Sequence, residues 1–131
     1  MKSDQPSIYY ITAESVKAIS NSPFLEKLKS KNYEVIYMCD PLDEYVTQQI
    51  KDYKDKKLVC ITKENIDFND SEFEKEEFER QKNEYKNVCD FIKSALSDEV
   101  EKVIVSNKLA DSPCVLSTSE FGWTANMQRI L

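Results

Sequence analysis

Apolar and polar positions alternate in short blocks along the first half of the chain, and the blocks predict strands and helices in turn. Residues 8–11, 33–39 and 58–61 are apolar runs with the length and the β-branched or aromatic content of strands. The run at 33–39 is almost continuously apolar, which is typical of a strand buried on both faces. Together these blocks predict a small βαβαβ unit with a parallel sheet covered by helices.

Helix starts are marked between the predicted strands. Ser22 precedes Pro23, the usual order of an N-cap and a first helical position, and we expect this helix to end near Asn32. A second helix is predicted to begin after residue 40. Its first turn carries Asp43 and Glu44, where the helix dipole favours negative charge.

The second half begins with a long predicted helix. Ser71 and Glu74 match the S-x-x-E capping box, and we expect one helix over residues 71–97. Its first part is dense in charge, which indicates a solvated surface; a metal site is the alternative, but carboxylates on one helix diverge without a second element. Its second part places apolar residues on one helical face, namely Tyr85, Val88, Cys89, Ile92 and Leu96.

Two further strands and a short helix complete the pattern. Strands are predicted at residues 100–105 and 114–116, and an amphipathic helix after Gly122. This helix has barely begun where the sequence stops, so we expect the chain to be part of a larger α/β protein. Its apolar face comprises Met127, Ile130 and Leu131, with Trp123 at or just before its first turn. Met and Trp suit adaptable binding surfaces, yet the spacing alone favours packing on the preceding strands.

The composition excludes several kinds of chemistry. The chain has no histidine and a single glycine, so Ser-His and Cys-His catalysis, Walker A loops and G-x-G-x-x-G turns are absent. The net charge of −6 makes a nucleic-acid partner a poor hypothesis, since phosphate contacts need clustered Lys and Arg. The lysines near residues 51–57 are interleaved with aspartates and indicate a solvated turn rather than a basic site. We therefore expect no self-sufficient enzyme.

The cysteines indicate a reducing compartment. The four cysteines form no C-x-x-C pair, which argues against a zinc ribbon or a thioredoxin-type site. Cys114 follows Pro113 at a predicted turn, and a structural strand cysteine is favoured over a nucleophile because no activating group is recognisable.

No apolar run is long enough to cross a membrane, so we expect neither a membrane partner nor a membrane address. We expect a cytoplasmic location.

Several segments, in order and in register, closely resemble the heat-shock protein 90 chaperones. The matching segments are residues 8–15, 21–28, 33–35, 40–45, 100–106, 111–114 and 121–127. Ala13, Gln128 and Leu131 depart from the family's usual residues, and residues 66–87 match least. The resemblance to these stress-response chaperones covers essentially the whole chain. The departures indicate a divergent member of the family or a paralogue.

The resemblance implies where this chain lies in its parent. Residues 1–70 would be the small α/β subdomain that ends the middle domain, residues 71–97 a connecting helix, and residues 98–131 the beginning of the α+β C-terminal domain. The parent would be a homodimer that binds ATP with magnesium and hydrolyses ATP. Its ATP site, catalytic arginine and dimerisation helices would lie outside this chain, which would itself hold no catalytic residue, metal or cofactor.

The resemblance also implies partners and contact residues, and it reverses the preference for a purely structural closing helix. By position, Trp123, Met127, Ile130 and Leu131 would contact unfolded client proteins, and Cys114 would match a redox-regulatory position. The leading hypothesis is a segment that couples the middle and C-terminal domains and contributes to client binding. The alternatives are a rigid connector and co-chaperone docking module without client contact, and an independent small α/β enzyme.

Overall fold

The computed structural model describes residues 1–64, 66–119 and 121–131. They form two compact units, one comprising residues 1–69 with residues 108–131 and the other residues 70–107. The first unit therefore combines the predicted α/β subdomain with the last part of the chain. The assignment of residues 1–70, 71–97 and 98–131 to domains of a parent protein stays a prediction.

The first unit contains a four-stranded, mostly parallel sheet. Its strands are β1 (Ile8–Thr12), β2 (Val35–Met38), β3 (Asp52–Tyr53) and β4 (Lys56–Cys60). They lie in the order β2-β1-β4-β3, with β1 parallel to both β2 and β4. This confirms the predicted α/β class and the parallel βαβαβ unit. The antiparallel β3–β4 hairpin was not predicted from the sequence.

The helices within residues 1–69 begin at side-chain caps or acidic turns that the sequence marks. They are α1 (Val16–Ser20), a 3₁₀ turn (Pro23–Leu25), α2 (Glu26–Ser30) and α3 (Asp43–Gln49). The Ser22 hydroxyl accepts a hydrogen bond from the Phe24 amide at 3.3 Å, as the Ser-Pro signal predicts. The segment then ends at Asn32, whose φ of 58° is the left-handed conformation that Asn tolerates.

The hydrophobic core lies between β1, the helices that follow it and the segment after β4. Tyr9 is at its centre, with its ring 6.1 Å from that of Tyr33 and 6.0 Å from that of Phe68. The Tyr9 hydroxyl donates to the carbonyl of Asp67, so its one polar group is paired. The buried members of this core are Tyr9, Ile11, Ile19, Leu25, Leu28, Tyr33, Ile61, Ile66 and Phe68.

Both β2 and α3 expose apolar residues. β2 is an edge strand, and Ile36 and Tyr37 are exposed, so the prediction of burial on both faces is wrong. α3 turns Glu44 and Thr47 inward and leaves Tyr45 exposed. Each inward polar group has a hydrogen-bond partner, which offsets the cost of its burial.

The second unit consists of two helices and the residues that follow them. α4 (Glu72–Glu84) starts at the predicted capping box, where Ser71 and Glu74 exchange side-chain and backbone hydrogen bonds. α5 (Lys86–Ala95) follows, because Tyr85 leaves the helical conformation at φ −97° and ψ 7°. The prediction of one continuous helix over residues 71–97 is therefore wrong, because two helices are present.

Within the described residues, no helix is apolar and long enough to span a membrane.

Residues 98–131 contain less regular structure than the sequence predicts. No strand is present at residues 100–105 or 114–116, where side chains such as Ile104 and Leu116 are exposed. A strand needs a neighbour for its backbone hydrogen bonds, and in the described part of this segment only Thr118 forms such a bridge, with Lys63. The predicted closing helix is present as α6 (Ala125–Ile130).

Candidate functional site

α6 begins at Thr124, and the local sequence explains why. The Thr124 hydroxyl accepts a hydrogen bond from the Met127 amide at 3.0 Å, the usual bond of an N-cap. Threonine is a favoured N-cap residue because its short side chain satisfies an amide that the helix leaves unpaired. The start of α6 is therefore marked in its own sequence.

A buried carboxylate from α3 then fixes the position of this helix start. Glu44 is 5% exposed and accepts hydrogen bonds from the Thr124 hydroxyl at 2.7 Å and from the Asn126 side-chain amide at 3.0 Å. Thr124 thus donates to Glu44 while it accepts from Met127. This network joins α3, next to the sheet, to the first turn of α6.

The four residues predicted to contact clients are placed differently from one another. Met127 is buried, at 5% exposure, and packs inward, whereas Trp123 is 59% exposed and Leu131 is 66% exposed. Ile130 is half-buried. Phe121, which the sequence did not single out, is 93% exposed. We call Phe121, Trp123 and Leu131 the α6 surface; they flank α6 at its two ends.

Buried Lys108 anchors the loop that leads to α6. Its ammonium group donates to the Lys63 carbonyl and to the Ser117 hydroxyl, the latter at 3.4 Å, and the residue is 4% exposed. Burial disfavours the charged form and lowers the pKa of Lys108 from 10.5 to about 8. Lys63 in turn donates to the carbonyl of Gly122, directly before the α6 surface residue Trp123.

A second anchor holds the same loop at its tip. One carboxylate oxygen of Glu26 accepts from the amides of Ala110, Asp111 and Ser112 at 2.6, 3.0 and 3.2 Å. The other oxygen accepts from the Ser112 hydroxyl. Successive amides that converge on one anion form a nest, and these bonds, above all that from the Ser112 hydroxyl, lower the pKa of Glu26 from 4.5 to about 2. We call Glu26 with residues 110–112 the Glu26 nest.

Cys114 lies in this loop, two residues after the Glu26 nest, and is exposed. No strand surrounds it, so the interpretation of Cys114 as a structural strand cysteine is wrong. Its redox-regulatory role stays a prediction. Among the described residues, no three His, Cys, Asp or Glu side chains are grouped to hold a metal ion.

Sequence reasoning missed the three charged anchors Glu26, Glu44 and Lys108. Glu44 was interpreted only as a first-turn acid, and the other two carried no local signal. For the two glutamates the reason is distance along the chain, since their partners are 80 or more residues away. The one signal that was available is Thr124, a good N-cap residue placed directly before the apolar stripe of α6. It would have placed the helix start two residues beyond Gly122.

Comparison with known sequences identifies the family to which this arrangement belongs. The sequence model described as Hsp90 protein matches residues 1–131, the whole chain. The chain belongs to the Hsp90 family. It is 50% identical over 131 residues to heat shock protein 83 of Leishmania donovani and 45% identical over 131 residues to the human putative heat shock protein HSP 90-beta-3. Both alignments cover 100% of this chain.

The chain spans only part of these Hsp90 relatives, 29% of the Leishmania protein and 22% of the human one. A mitochondrial relative from Arabidopsis thaliana and an endoplasmin homolog from Catharanthus roseus are each 45% identical as well, and the chain covers 16% of either. Family membership therefore leaves the compartment open. A solved middle domain of a Plasmodium falciparum putative heat shock protein aligns with 47% of this chain at 41% identity, covering 26% of that domain, with a TM-score of 0.44.

Proposed function

We propose that this chain is the segment of an ATP-dependent Hsp90 chaperone that couples the middle and C-terminal domains and contributes to the binding of unfolded client proteins. The observation that carries the proposal is the α6 surface. Its large apolar side chains, Phe121, Trp123 and Leu131, are exposed beside a helix start that a buried carboxylate holds in place. Exposed apolar side chains beside a fixed helix start can bind the apolar side chains that an unfolded protein exposes.

The size of the α6 surface indicates weak and broad binding. Full burial of one large apolar side chain contributes about 1.5–3 kcal/mol, and these side chains start partly covered. Burial of all three would contribute roughly 3–6 kcal/mol before the cost of ordering the client. A single site with this low affinity binds many different client sequences and releases them quickly, which is the behaviour that a general chaperone requires.

The proposal assigns Met127 a different role from Trp123 and Leu131. Because Met127 is buried, it packs α6 against the interior of the first unit, and the α6 surface makes the client contact. Ile130 is half-buried and contributes to both. The client-binding set thus keeps Trp123 and Leu131, gains Phe121, and uses Met127 as its support.

The wider activity belongs to the same proposal. ATP and magnesium would bind in other parts of the parent protein, which would act as a homodimer with co-chaperones. The chain would itself carry out no catalysis. The four free cysteines of the described residues support a reducing compartment, and we place the protein in the cytoplasm.

The experiment that tests client contact is photo-crosslinking of the chain to a reduced, unfolded model protein. Replacing Trp123 and Leu131 together with Ser should lower crosslinking to residues 121–131 about tenfold, because most of the buried apolar area is lost. Tyr53→Ser in the β3–β4 hairpin is the matched control, since it removes an exposed aromatic side chain from another element. Equal crosslinking in the double variant and in the Tyr53→Ser control would overturn the α6 surface as a client contact.

A connector and co-chaperone docking module is the second candidate, and α3 carries the observation that favours it. Leu42, directly before the helix, and Tyr45, Val46 and Ile50 are exposed at a helical spacing that places them on one face. A folded partner could pack on such a stripe. Amide exchange separates the candidates: protection of residues 42–50 by a co-chaperone, without protection of residues 121–131 by an unfolded protein, supports docking alone.

A further inference from the structure

The Glu26 nest contains a hydroxyl group whose chemistry the chaperone proposal does not use. Ser112 donates its hydroxyl to one oxygen of Glu26 and its amide to the other. The Glu26 carboxylate is ionised at neutral pH, as its pKa of about 2 requires. Any negative group added to the Ser112 oxygen would therefore meet a full negative charge at hydrogen-bond distance.

The surroundings of Ser112 match what a protein kinase needs from its substrate. Asp111, Pro113 and Cys114 are exposed, and Ser112 is half-buried. No helix or strand includes residues 108–117, so no helix or sheet bonds need to break for residues 110–114 to enter an active site when the Glu26 nest opens. Pro113 follows the hydroxyl residue directly, which is the sequence that proline-directed kinases select.

We propose that Ser112 is a phosphorylation site for a proline-directed protein kinase, and that its phosphorylation expels Glu26 from the nest and frees the loop of residues 108–117. The Ser112 oxygen attacks the γ-phosphorus of a nucleoside triphosphate, and a new O–P bond forms. The bond from that phosphorus to the bridging oxygen breaks, the nucleoside diphosphate leaves, and the hydroxyl proton passes to the catalytic base of the kinase. The kinase and the triphosphate are the co-reactants.

The expulsion follows from charge. The phosphate brings nearly two negative charges to an oxygen that contacts Glu26 Oε1. Two like charges about 4 Å apart in water repel enough to change an equilibrium severalfold, and for a doubly charged phosphate beside a carboxylate the change exceeds about tenfold. The phosphate oxygens also compete with Glu26 for the amides of residues 110–112. The nest that held the loop to α2 becomes a site of repulsion.

A second Ser-Pro pair in the same chain provides the matched comparison. Ser22 precedes Pro23, but its hydroxyl accepts from the Phe24 amide, its own amide donates to Ile19 and its carbonyl accepts from Leu25. These bonds tie Ser22 to the start of the 3₁₀ turn. A phosphate there would lie at the start of a 3₁₀ turn, where its charge is favourable. Of the two, only Ser112 faces a carboxylate.

The test is phosphorylation of the full chain with a purified proline-directed kinase and magnesium ATP, with the site mapped by mass spectrometry. Ser22→Ala and Ser112→Ala are the matched variants. Incorporation should persist in Ser22→Ala and be lost in Ser112→Ala. Amide exchange at residues 110–112 should then become at least about tenfold faster in the phosphorylated Ser22→Ala chain than in its unmodified form.

Glu26→Gln separates repulsion from general loosening. The side-chain carbonyl oxygen that this substitution leaves in place can still accept from the nest amides, but it carries no charge. Phosphorylation of Ser112 in this variant should therefore accelerate exchange much less. No incorporation at Ser112, under conditions that modify a free peptide of residues 106–118, would overturn the site. Unchanged exchange after phosphorylation, or equal acceleration in Glu26→Gln, would overturn the proposed expulsion of Glu26.

Discussion

Single charged side chains determine how the end of the first unit is held. Glu44, Glu26 and Lys108 each pair with groups that are distant in sequence, and each is buried or bonded to several donors. A buried charge is costly unless it is hydrogen-bonded, so removal of one partner leaves a penalty with the other. The strength of these anchors is therefore measured best by paired substitutions.

Thr124 and Glu44 form the most informative pair. Thr124→Val keeps the shape of the side chain but removes both the N-cap acceptor and the donor to Glu44. We expect the unfolding free energy to fall by about 1–3 kcal/mol, measured by urea denaturation. Glu44→Gln keeps an acceptor for Thr124 and should cost less. If the double variant loses the full sum of the two single losses, the Thr124 hydroxyl gains nothing from a carboxylate rather than an amide as its acceptor.

Lys108 predicts a pH effect of a particular sign. The folded pKa of about 8 lies below the ordinary value of 10.5, so between these pH values the unfolded chain holds a proton that the folded chain has released. The contribution of Lys108 to the free energy of unfolding therefore rises as the pH increases from about 8 to 10.5. Burial raises the pKa of Cys60, which acts in the opposite direction above the ordinary thiol value of 9.0. The measurement must therefore compare variants.

Wild type and Lys108→Met are compared by urea denaturation at about pH 7 and about pH 10. Most of the interval between the folded and unfolded pKa values of Lys108 lies between these two pH values. Met cannot titrate, and Cys60 is common to both chains. The stability of wild type relative to the variant should increase between the two pH values. A constant difference would show that Lys108 has an ordinary pKa in the folded chain.

At the scale of elements, the sequence predicted what short-range chemistry decides. The Ser71–Glu74 capping box, the Ser22 cap and the alternation of strands with helices were all confirmed, because each depends on neighbours within a few residues. The break at Tyr85 was missed, since no Pro or Gly lies near it to mark one. The strand predicted at residues 100–105 failed for a different reason: apolar alternation gives propensity, but a strand also needs a partner.

The β3–β4 hairpin was missed because its turn residues are unusual. Lys54 and Asp55 both have positive φ, 48° and 65°, the arrangement of a type I′ turn that favours Asn-Gly. Replacing them with Asn and Gly should raise the unfolding free energy by about 1 kcal/mol in urea denaturation, because the left-handed strain is relieved. Asp52→Gly in the strand beside the turn is the control, and it should be destabilising. Equal effects of the two changes would contradict the turn assignment.

At the scale of the whole molecule, the resemblance of separate segments to one family carried most of the functional prediction, and family membership is now established. The exposed Trp123 and Leu131 agree with a contact role that stays a proposal, whereas Met127 is buried and could not be separated from them by periodicity. A helical stripe identifies which residues share a face, but not how deep each one lies. Burial of Met127 depends on anchors such as Glu44, which bonds to the cap of α6 from 80 residues away.

The central claim is that the α6 surface binds unfolded polypeptide, and Trp123 offers a direct probe because it is the single tryptophan of the chain. The measurement is Trp123 fluorescence during titration with an unfolded, tryptophan-free protein. Since Trp123 is 59% exposed, burial against a client should shift its emission to shorter wavelength, with saturation at high micromolar to millimolar concentration. The shift should weaken in Leu131→Ser and persist in Tyr53→Ser. An emission spectrum that stays unchanged through saturating client would contradict the account.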